Sequence, residues 1–165
     1  MGFNKAFLDF HGEPQVSWLY KLLQSLCDKV YVSGSPDKIP GDFNFMEDRY
    51  ETGGPMNGIL SAFNAHPAVG WLVTAVDMPN VNKDVLNYLL QKNDKRFMAA
   101  CFIHPDSHTV EPFPVVLQPS CYPVLLNRFS QKNDSLNNFL QTTPVAKVQA
   151  KDAQWLININ TQSQL

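Results

Sequence analysis

The chain has 165 residues, of which 44% are hydrophobic and 17% are charged. This length predicts a single domain over residues 1–165, large enough to bury about two thirds of its unfolded surface. The formal net charge is −2, and no run of Lys or Arg occurs, which argues against a nucleic-acid partner. No apolar run approaches a membrane span and no signal peptide precedes the domain, so we expect a cytoplasmic protein without membrane contact.

Helical and strand patterns alternate along the chain. Helices are predicted over residues 15–27, after the glycine turn at 53–58, and over 82–92, 120–129 and 135–141. Strands are predicted at residues 30–33, 43–46, 71–76, 96–103, 114–117, 145–148 and 155–159. This alternation with short connections predicts an α/β layered domain with a mainly parallel sheet.

The three cysteines are Cys27, Cys101 and Cys121, and no two of them form a CxxC pair. Their spacing favours free, mostly buried thiols in a reducing compartment. His104 and His108 lie four residues apart, but the intervening proline disfavours the helix that a zinc pair would need. The sequence therefore points neither to a disulfide framework nor to a zinc centre.

Asp77 directly follows the apolar run 71–76, which is typical of a central strand buried on both faces. Ligands of open parallel sheets bind outside the carboxyl ends of the strands. One carboxylate there can hold Mg²⁺ when nucleotide phosphates supply further ligands. The alternative is that Asp77 caps a helix, although Met78-Pro79 before the expected helix start disfavours a cap.

Two further features each leave two interpretations open. Gly53, Gly54 and Gly58 around Pro55 could let main-chain N–H groups approach an anion or a nucleotide, or could form a plain strand-to-helix turn. Lys5 could neutralise a triphosphate and stabilise a departing pyrophosphate, or could be an ordinary surface lysine.

Motifs in a fixed order cover nearly the whole chain: Met1-Gly2-x-x-Lys5-Ala6-x-Leu8, Gly12-x-Pro14, Asp48, Gly54-Pro55-x-x-Gly58-Ile59, Asp77-Met78-Pro79 and Asn158-Ile159-Asn160-Thr161. In this combination the chain resembles the molybdenum cofactor guanylyltransferases, which join GMP to molybdopterin. The related cytidylyl branch typically has Asp-Gln-Pro in place of Asp-Met-Pro and lacks the Gly-Pro-x-x-Gly turn. The guanylyl branch therefore fits better.

The resemblance implies a Rossmann-like, three-layer nucleotidyltransferase domain that uses GTP, molybdopterin and Mg²⁺, with cofactor-delivery proteins as further partners. Lys5 and Asp77 would be the catalytic residues, with Lys5 at the phosphates and Asp77 holding the metal. The implied nucleotide pocket comprises Lys5, Ser33, Asp48, Gly54, Pro55, Gly58 and Asp77. Ser33 stands where the family often has Asn. Asn158 and Asn160 would face molybdopterin.

The family also begins with a strand and a Leu-Ala-Gly-Gly-x-x-x-Arg loop, at positions that precede Met1. In the doubly wound order that strand lies in the middle of the sheet, between those expected at 30–33 and 71–76. We therefore expect this N-terminal strand and phosphate loop to be missing here, which would expose unpaired backbone and two strand edges in the interior. Either the sheet closes differently, or the sequence begins at a mis-assigned or truncated start. Alternative functions are a non-catalytic relative that binds nucleotide or a protein partner, and a nucleotidyltransferase for another acceptor of cytidylyl or sugar-phosphate type.

Overall fold

The computed structural model describes residues 5–39, 41–50 and 54–159. Its helices are α1 (Gln15–Gln24), α2 (Pro55–Ala65), α3 (Lys83–Gln91), α4 (Cys121–Ser130) and α5 (Leu136–Thr142), with 3-10 turns at Lys5–Phe7 and Ala153–Leu156. Its strands are β1 (Val32–Ser33), β2 (Phe45–Met46), β3 (Trp71–Val73), β4 (Ala99–Ile103), β5 (Val110–Leu117) and β6 (Ala146–Gln149). None of these helices combines the length and the apolar character needed to cross a bilayer.

The strands form two sheets. Four of them pair in the order β3-β5-β4-β6, and β1 pairs with β2 in a separate parallel ribbon. Since β5 is antiparallel to β3 and β4, and β6 is parallel to β4, three of the four strands share one direction. β5 runs the other way because a short turn, closed by a 2.8 Å hydrogen bond from the His104 N–H to the Thr109 carbonyl, folds it back onto β4. The predicted α/β class is confirmed.

Helices cover both faces of the four-stranded sheet. Alternate residues of β4 point to opposite sides, so Ala99 and Cys101 enter one cluster of buried side chains while Ala100 and Phe102 enter the other. The first cluster includes side chains from α2, α4 and α5, and the second includes side chains from α1 and α3. This arrangement confirms the predicted three-layer domain.

One predicted element is wrong. Residues 155–159 do not form a strand; Ala153–Leu156 is a 3-10 turn, and the Asp152 carboxylate accepts a hydrogen bond from the Gln154 N–H at 2.8 Å at its start. Leu156 and Ile159 are buried and Ile157 is exposed, so the apolar residues of this segment pack on the core without sheet pairing. Beyond the turn, the Ile159 N–H donates to the Asp77 carbonyl at 2.8 Å.

The two sheets are separated by a cleft of about 680 Å³. Tyr31, directly before β1, lines it from one side, and Trp71 and Leu72 of β3 line it from the other. This interruption lies where the sequence predicts one, between residues 30–33 and 71–76. Two side-chain atoms of this strand region, Nε1 of Trp71 and Oγ1 of Thr74, are buried without a hydrogen-bond partner among the described residues.

Replacing Thr74 by Val should stabilise the protein, because a buried hydroxyl without a partner costs free energy that a methyl group does not. We expect the free energy of unfolding to rise by about 0.5–1.5 kcal/mol, measured by urea denaturation. The matched control is Thr109→Val, which removes an exposed hydroxyl bonded to Ser107 at 2.8 Å and should change stability by less than about 0.5 kcal/mol. A loss of stability in Thr74→Val would show that the hydroxyl has a partner in solution.

Candidate nucleotide site

Ser33 and Asp48 meet at the carboxyl ends of two parallel strands. Ser33 is the last residue of β1 and pairs in register with Met46, the last residue of β2. Asp48 follows two residues later, and the Ser33 hydroxyl donates a hydrogen bond to its Oδ1 at 3.1 Å. Both residues are exposed, so the carboxylate is accessible to a ligand.

Gly58, in α2, completes this group. A Cβ atom built on Gly58 would lie 2.3 Å from the Ser33 Oγ and 3.0 Å from the Ser33 Cβ. Neither distance is compatible with an unshifted neighbour, so a side chain at position 58 would displace Ser33. The same Cβ would lie 3.9 Å from Asp48 Oδ1, which places all three predicted residues in one contact group.

Gly54 and Pro55 begin α2. Gly54 is the N-cap residue with φ of 76°, a left-handed conformation that favours glycine, and Pro55 occupies the first helical turn. The glycine motif therefore does form a turn into a helix. The first main-chain N–H groups of a helix have no acceptor within the helix, but Pro55 has no N–H and Met56 and Asn57 are buried, so the anion-binding interpretation stays a prediction.

Two buried polar side chains of α2 fasten the loop that carries Asp48. The Asn57 Oδ1 accepts from the Tyr50 N–H at 3.0 Å, and the Ser61 Oγ accepts from the Arg49 N–H at 2.9 Å. Ser61 in turn donates to Asn57 at 3.3 Å. Asn57 is 7% exposed and Ser61 is fully buried. Sequence reasoning missed both, although polar residues one turn apart on an otherwise apolar helix face are a detectable signal.

The turn after β3 is held through its main chain. The carbonyl groups of three consecutive residues, 77–79, each accept a hydrogen bond from a distant part of the chain. The donors are the Ile159 N–H (2.8 Å), the Gln15 Nε2 (3.4 Å) and the His11 Nε2 (3.0 Å). Segments from both ends of the described chain thus fix the turn from which the Asp77 side chain projects.

Asp77 is not a helix cap. The N-cap of α3 is Asn82, whose side-chain oxygen accepts from the N–H groups of Asp84 and Val85 at 3.0 and 3.1 Å. Asp77 instead lies half-buried between the end of β3 and the buried residues Met78 and Pro79. The cap interpretation of this carboxylate is therefore excluded.

A pocket of about 340 Å³ lies beside this turn, lined by Phe10, His11, Pro79, Asn80 and residues 157–159. It includes the predicted acceptor residue Asn158; Asn160 lies outside the described residues. The His11 ring stacks on Trp18 with centroids 3.8 Å apart, and its Nε2 carries the proton because the Pro79 carbonyl can only accept. Sequence reasoning assigned His11 no role, since its partners come from distant positions.

The remaining predicted residue, Lys5, opens the 3-10 turn Lys5–Phe7, and its side chain lies outside the described part of the structure. The structure therefore brings the predicted residues together as two groups: Ser33, Asp48 and Gly58 at the β1–β2 ribbon, and Asp77 with Asn158 at the end of β3.

The cysteines take no part in either group. All three are free thiols, as predicted, and Cys101 and Cys121 are fully buried. Burial raises the pKa of Cys101 to about 11 and that of Cys121 to about 12. Because the thiolate is the nucleophilic form, these two side chains are inert near neutral pH.

Comparison with known protein families identifies a nucleotidyltransferase domain. The family model that describes the MobA-like NTP transferase domain matches residues 1–148. The chain therefore belongs to this family, as the sequence motifs predict.

Curated relatives carry related names. The chain is 30% identical over 158 residues to a molybdenum cofactor biosynthesis bifunctional protein of Synechocystis, covering 93% of this chain and 43% of that protein. It is 27% identical to a probable molybdenum cofactor guanylyltransferase of Clostridium perfringens, covering 96% and 83% of the two chains. The chain thus spans less than half of the first relative and most of the second.

Solved structures share the fold. The molybdopterin-guanine dinucleotide biosynthesis protein A of Archaeoglobus fulgidus superposes with a TM-score of 0.77 at 20% identity, covering 98% of this chain and 87% of that one. A 2-C-methyl-D-erythritol 4-phosphate cytidylyltransferase of Thermus thermophilus gives a TM-score of 0.67 at 18% identity, covering 97% and 89%. These likenesses confirm the Rossmann-like nucleotidyltransferase fold.

Substituting Asn57 by Ala should release the loop that carries Asp48, because the Tyr50 N–H loses its acceptor. We expect a loss of about 1–3 kcal/mol in the free energy of unfolding, together with faster amide exchange at residues 48–50. Asn127→Ala, at an exposed position of α4, is the control and should leave the loop unchanged. Unchanged exchange at residues 48–50 in Asn57→Ala would contradict this role.

Proposed function

We propose that the chain transfers GMP from GTP to molybdopterin and releases pyrophosphate. The structural observation that carries the proposal is the position of Asp77, half-buried on the turn that follows β3, whose main chain is fixed by three distant donors. The guanylyltransferase names of several relatives support GTP as the donor and molybdopterin as the acceptor.

The chemistry of Asp77 suits Mg²⁺ that arrives with a nucleotide. Among the described residues, no group of three or more His, Cys, Asp and Glu side chains is arranged to hold a metal by itself. Mg²⁺ commonly takes one or two carboxylates plus substrate phosphates, so a single Asp is a sufficient protein contribution. Bound there, the ion would neutralise developing charge on the triphosphate.

The nucleotide is proposed to lie against the β1–β2 ribbon and the start of α2. Asp48 contacts the nucleotide, and Gly54, Pro55 and Gly58 line its pocket with little side-chain bulk. Lys5 is assigned to the phosphates, where its charge would stabilise the departing pyrophosphate. These assignments follow the resemblance, and the exposure of Ser33, Asp48, Gly54 and Pro55 supports them.

The reaction needs no covalent enzyme intermediate. A terminal phosphate oxygen of molybdopterin attacks the α-phosphorus of GTP, a new phosphoanhydride bond forms, and the α–β phosphoanhydride bond breaks. Positioning of the two substrates is the chief contribution of the protein in such a transfer. We assign the acceptor to the pocket lined by Asn158 and propose Asn160 as a second acceptor-binding residue from the resemblance. We place the enzyme in the cytoplasm with delivery proteins as partners.

Isothermal titration with GTP, ATP and CTP in Mg²⁺ tests the proposal. We expect selective GTP binding that weakens by about tenfold to a hundredfold in Asp77→Ala, since a charged contact contributes about 1.5–3 kcal/mol. Removal of Mg²⁺ should weaken binding to the wild type more than to the variant, because both changes disrupt one interaction.

The matched control is Asp28→Asn, an exposed carboxylate that lines the cleft with Val69 and Gly70 at the amino end of β3. It should bind GTP like the wild type. Selective CTP binding would contradict the guanylyl assignment and favour a cytidylyl acceptor reaction. Absence of binding by all three nucleotides would favour a relative that acts through a protein partner.

A further inference from the structure

The contact between Ser33, Asp48 and Gly58 suggests how the site distinguishes one nucleotide base from another. We propose that Ser33 is a positioning residue that orients the Asp48 carboxylate toward guanine, and that Gly58 is required because it leaves room for the Ser33 hydroxyl. The inference rests on the proposed function, since it concerns the nucleotide side of the same site.

The chemistry of guanine matches a fixed carboxylate. Guanine presents the N1–H and the 2-amino group side by side, so a carboxylate can accept both hydrogen bonds with its two oxygens. Adenine and cytosine present no such adjacent pair of donors. Asp48 is exposed two residues after the end of β2, and its carboxylate has acceptor capacity beyond the one hydrogen bond from Ser33 to Oδ1.

Ser33 limits the rotation of that carboxylate. Its hydroxyl donates to Oδ1 at 3.1 Å, and both ends of this hydrogen bond stand on fixed main chain. Ser33 belongs to the β1–β2 ladder, while the residues after Asp48 are fastened to Asn57 and Ser61. An exposed carboxylate without this contact would be ordered only when the base binds, and this ordering would weaken affinity.

Gly58 provides the space for the hydrogen bond between Ser33 and Asp48, and it does so at a cost in the stability of α2. Its backbone is helical and has no left-handed φ, so any residue could adopt its conformation. Glycine inside a helix destabilises it relative to alanine. The glycine leaves space for the Ser33 hydroxyl. A Cβ at position 58 would lie 2.3 Å from the Ser33 Oγ and would force the hydroxyl away from Asp48.

The test compares GTP with inosine triphosphate, which keeps the N1–H but lacks the 2-amino group. Titration of Ser33→Ala should show GTP binding weakened about threefold to tenfold, the size of one hydrogen bond, while inosine triphosphate binding changes less than about twofold. In steady-state kinetics KM for GTP should rise while kcat stays constant, because Ser33 touches no reacting atom.

Companion variants separate positioning from folding. Ser33→Thr keeps the hydroxyl on a strand that accepts β-branched residues, so it should retain the preference for GTP over inosine triphosphate. Gly58→Ala should lose that preference as Ser33→Ala does, and the double variant should lose no more than the worse single variant. Ser35→Ala, two residues beyond the contact, is the control, and thermal unfolding verifies that each variant is folded.

The two proposals fail in different ways. If the wild type prefers GTP to ATP and CTP but Ser33→Ala keeps the same ratio of GTP to inosine triphosphate affinity, the positioning role is wrong and the proposed function stands. If Ser33→Thr loses the preference while folded, the hydroxyl is not the orienting group. If the wild type shows no preference for GTP over ATP and CTP, both proposals are overturned.

Discussion

The structure of the site depends on the hydrogen bonds that hold the carbonyl groups of residues 77–79. A turn at the end of a strand is normally a mobile element, but here its donors come from His11 and Gln15 near one end of the chain and from Ile159 near the other. Met78, in the centre of the turn, is fully buried. The main chain at Asp77 is therefore fixed by three distant donors, which is the preorganisation that the proposed role of its carboxylate in phosphoryl transfer would require.

The second group of site residues is built by a different means. The β1–β2 ribbon has only two residues in each strand, and such a ribbon is marginal by itself. It is supported by α2, whose buried Asn57 and Ser61 bind the loop after β2. Tyr20 of α1 adds support, because its hydroxyl accepts from the Asn44 N–H at 3.2 Å and from the Asn44 side chain at 3.0 Å. Polar contacts therefore support both groups, side-chain acceptors around the β1–β2 ribbon and main-chain acceptors at the turn of Asp77.

Much of the fold could be predicted from the sequence because its strongest patterns are local. The helical spacing of residues 15–27 produces α1, and the apolar run before Asp77 does contain a strand. That strand is shorter than predicted, Trp71–Val73, and it lies half-buried at the edge of the four-stranded sheet, so the prediction of a central strand buried on both faces is wrong. The antiparallel direction of β5 could not be read from periodicity, because a buried strand has the same apolar pattern in either direction. The strand predicted at residues 155–159 is wrong for a related reason. A short run of apolar residues that packs beside a turn has the same composition as a buried strand.

The site was predictable only in part, and the physical reason is the distance along the chain between partners. Asp77 and the glycines before α2 are marked by their position at element ends, which a sequence displays directly. The contact of His11 with Pro79 joins residues 68 positions apart, and that of Ser33 with Asp48 joins residues 15 positions apart. No local pattern in the sequence predicts either contact. Asn57 and Ser61 are intermediate, because polar residues on a buried helix face signal a partner without identifying it.

The most direct test of the account is a transfer assay with GTP labelled at the α-phosphate, purified molybdopterin and Mg²⁺. The account predicts that label appears in a dinucleotide product with one pyrophosphate released per transfer, and that omission of molybdopterin abolishes both. Transfer from CTP in place of GTP, or the absence of label in the product while GTP is bound at the site, would contradict it.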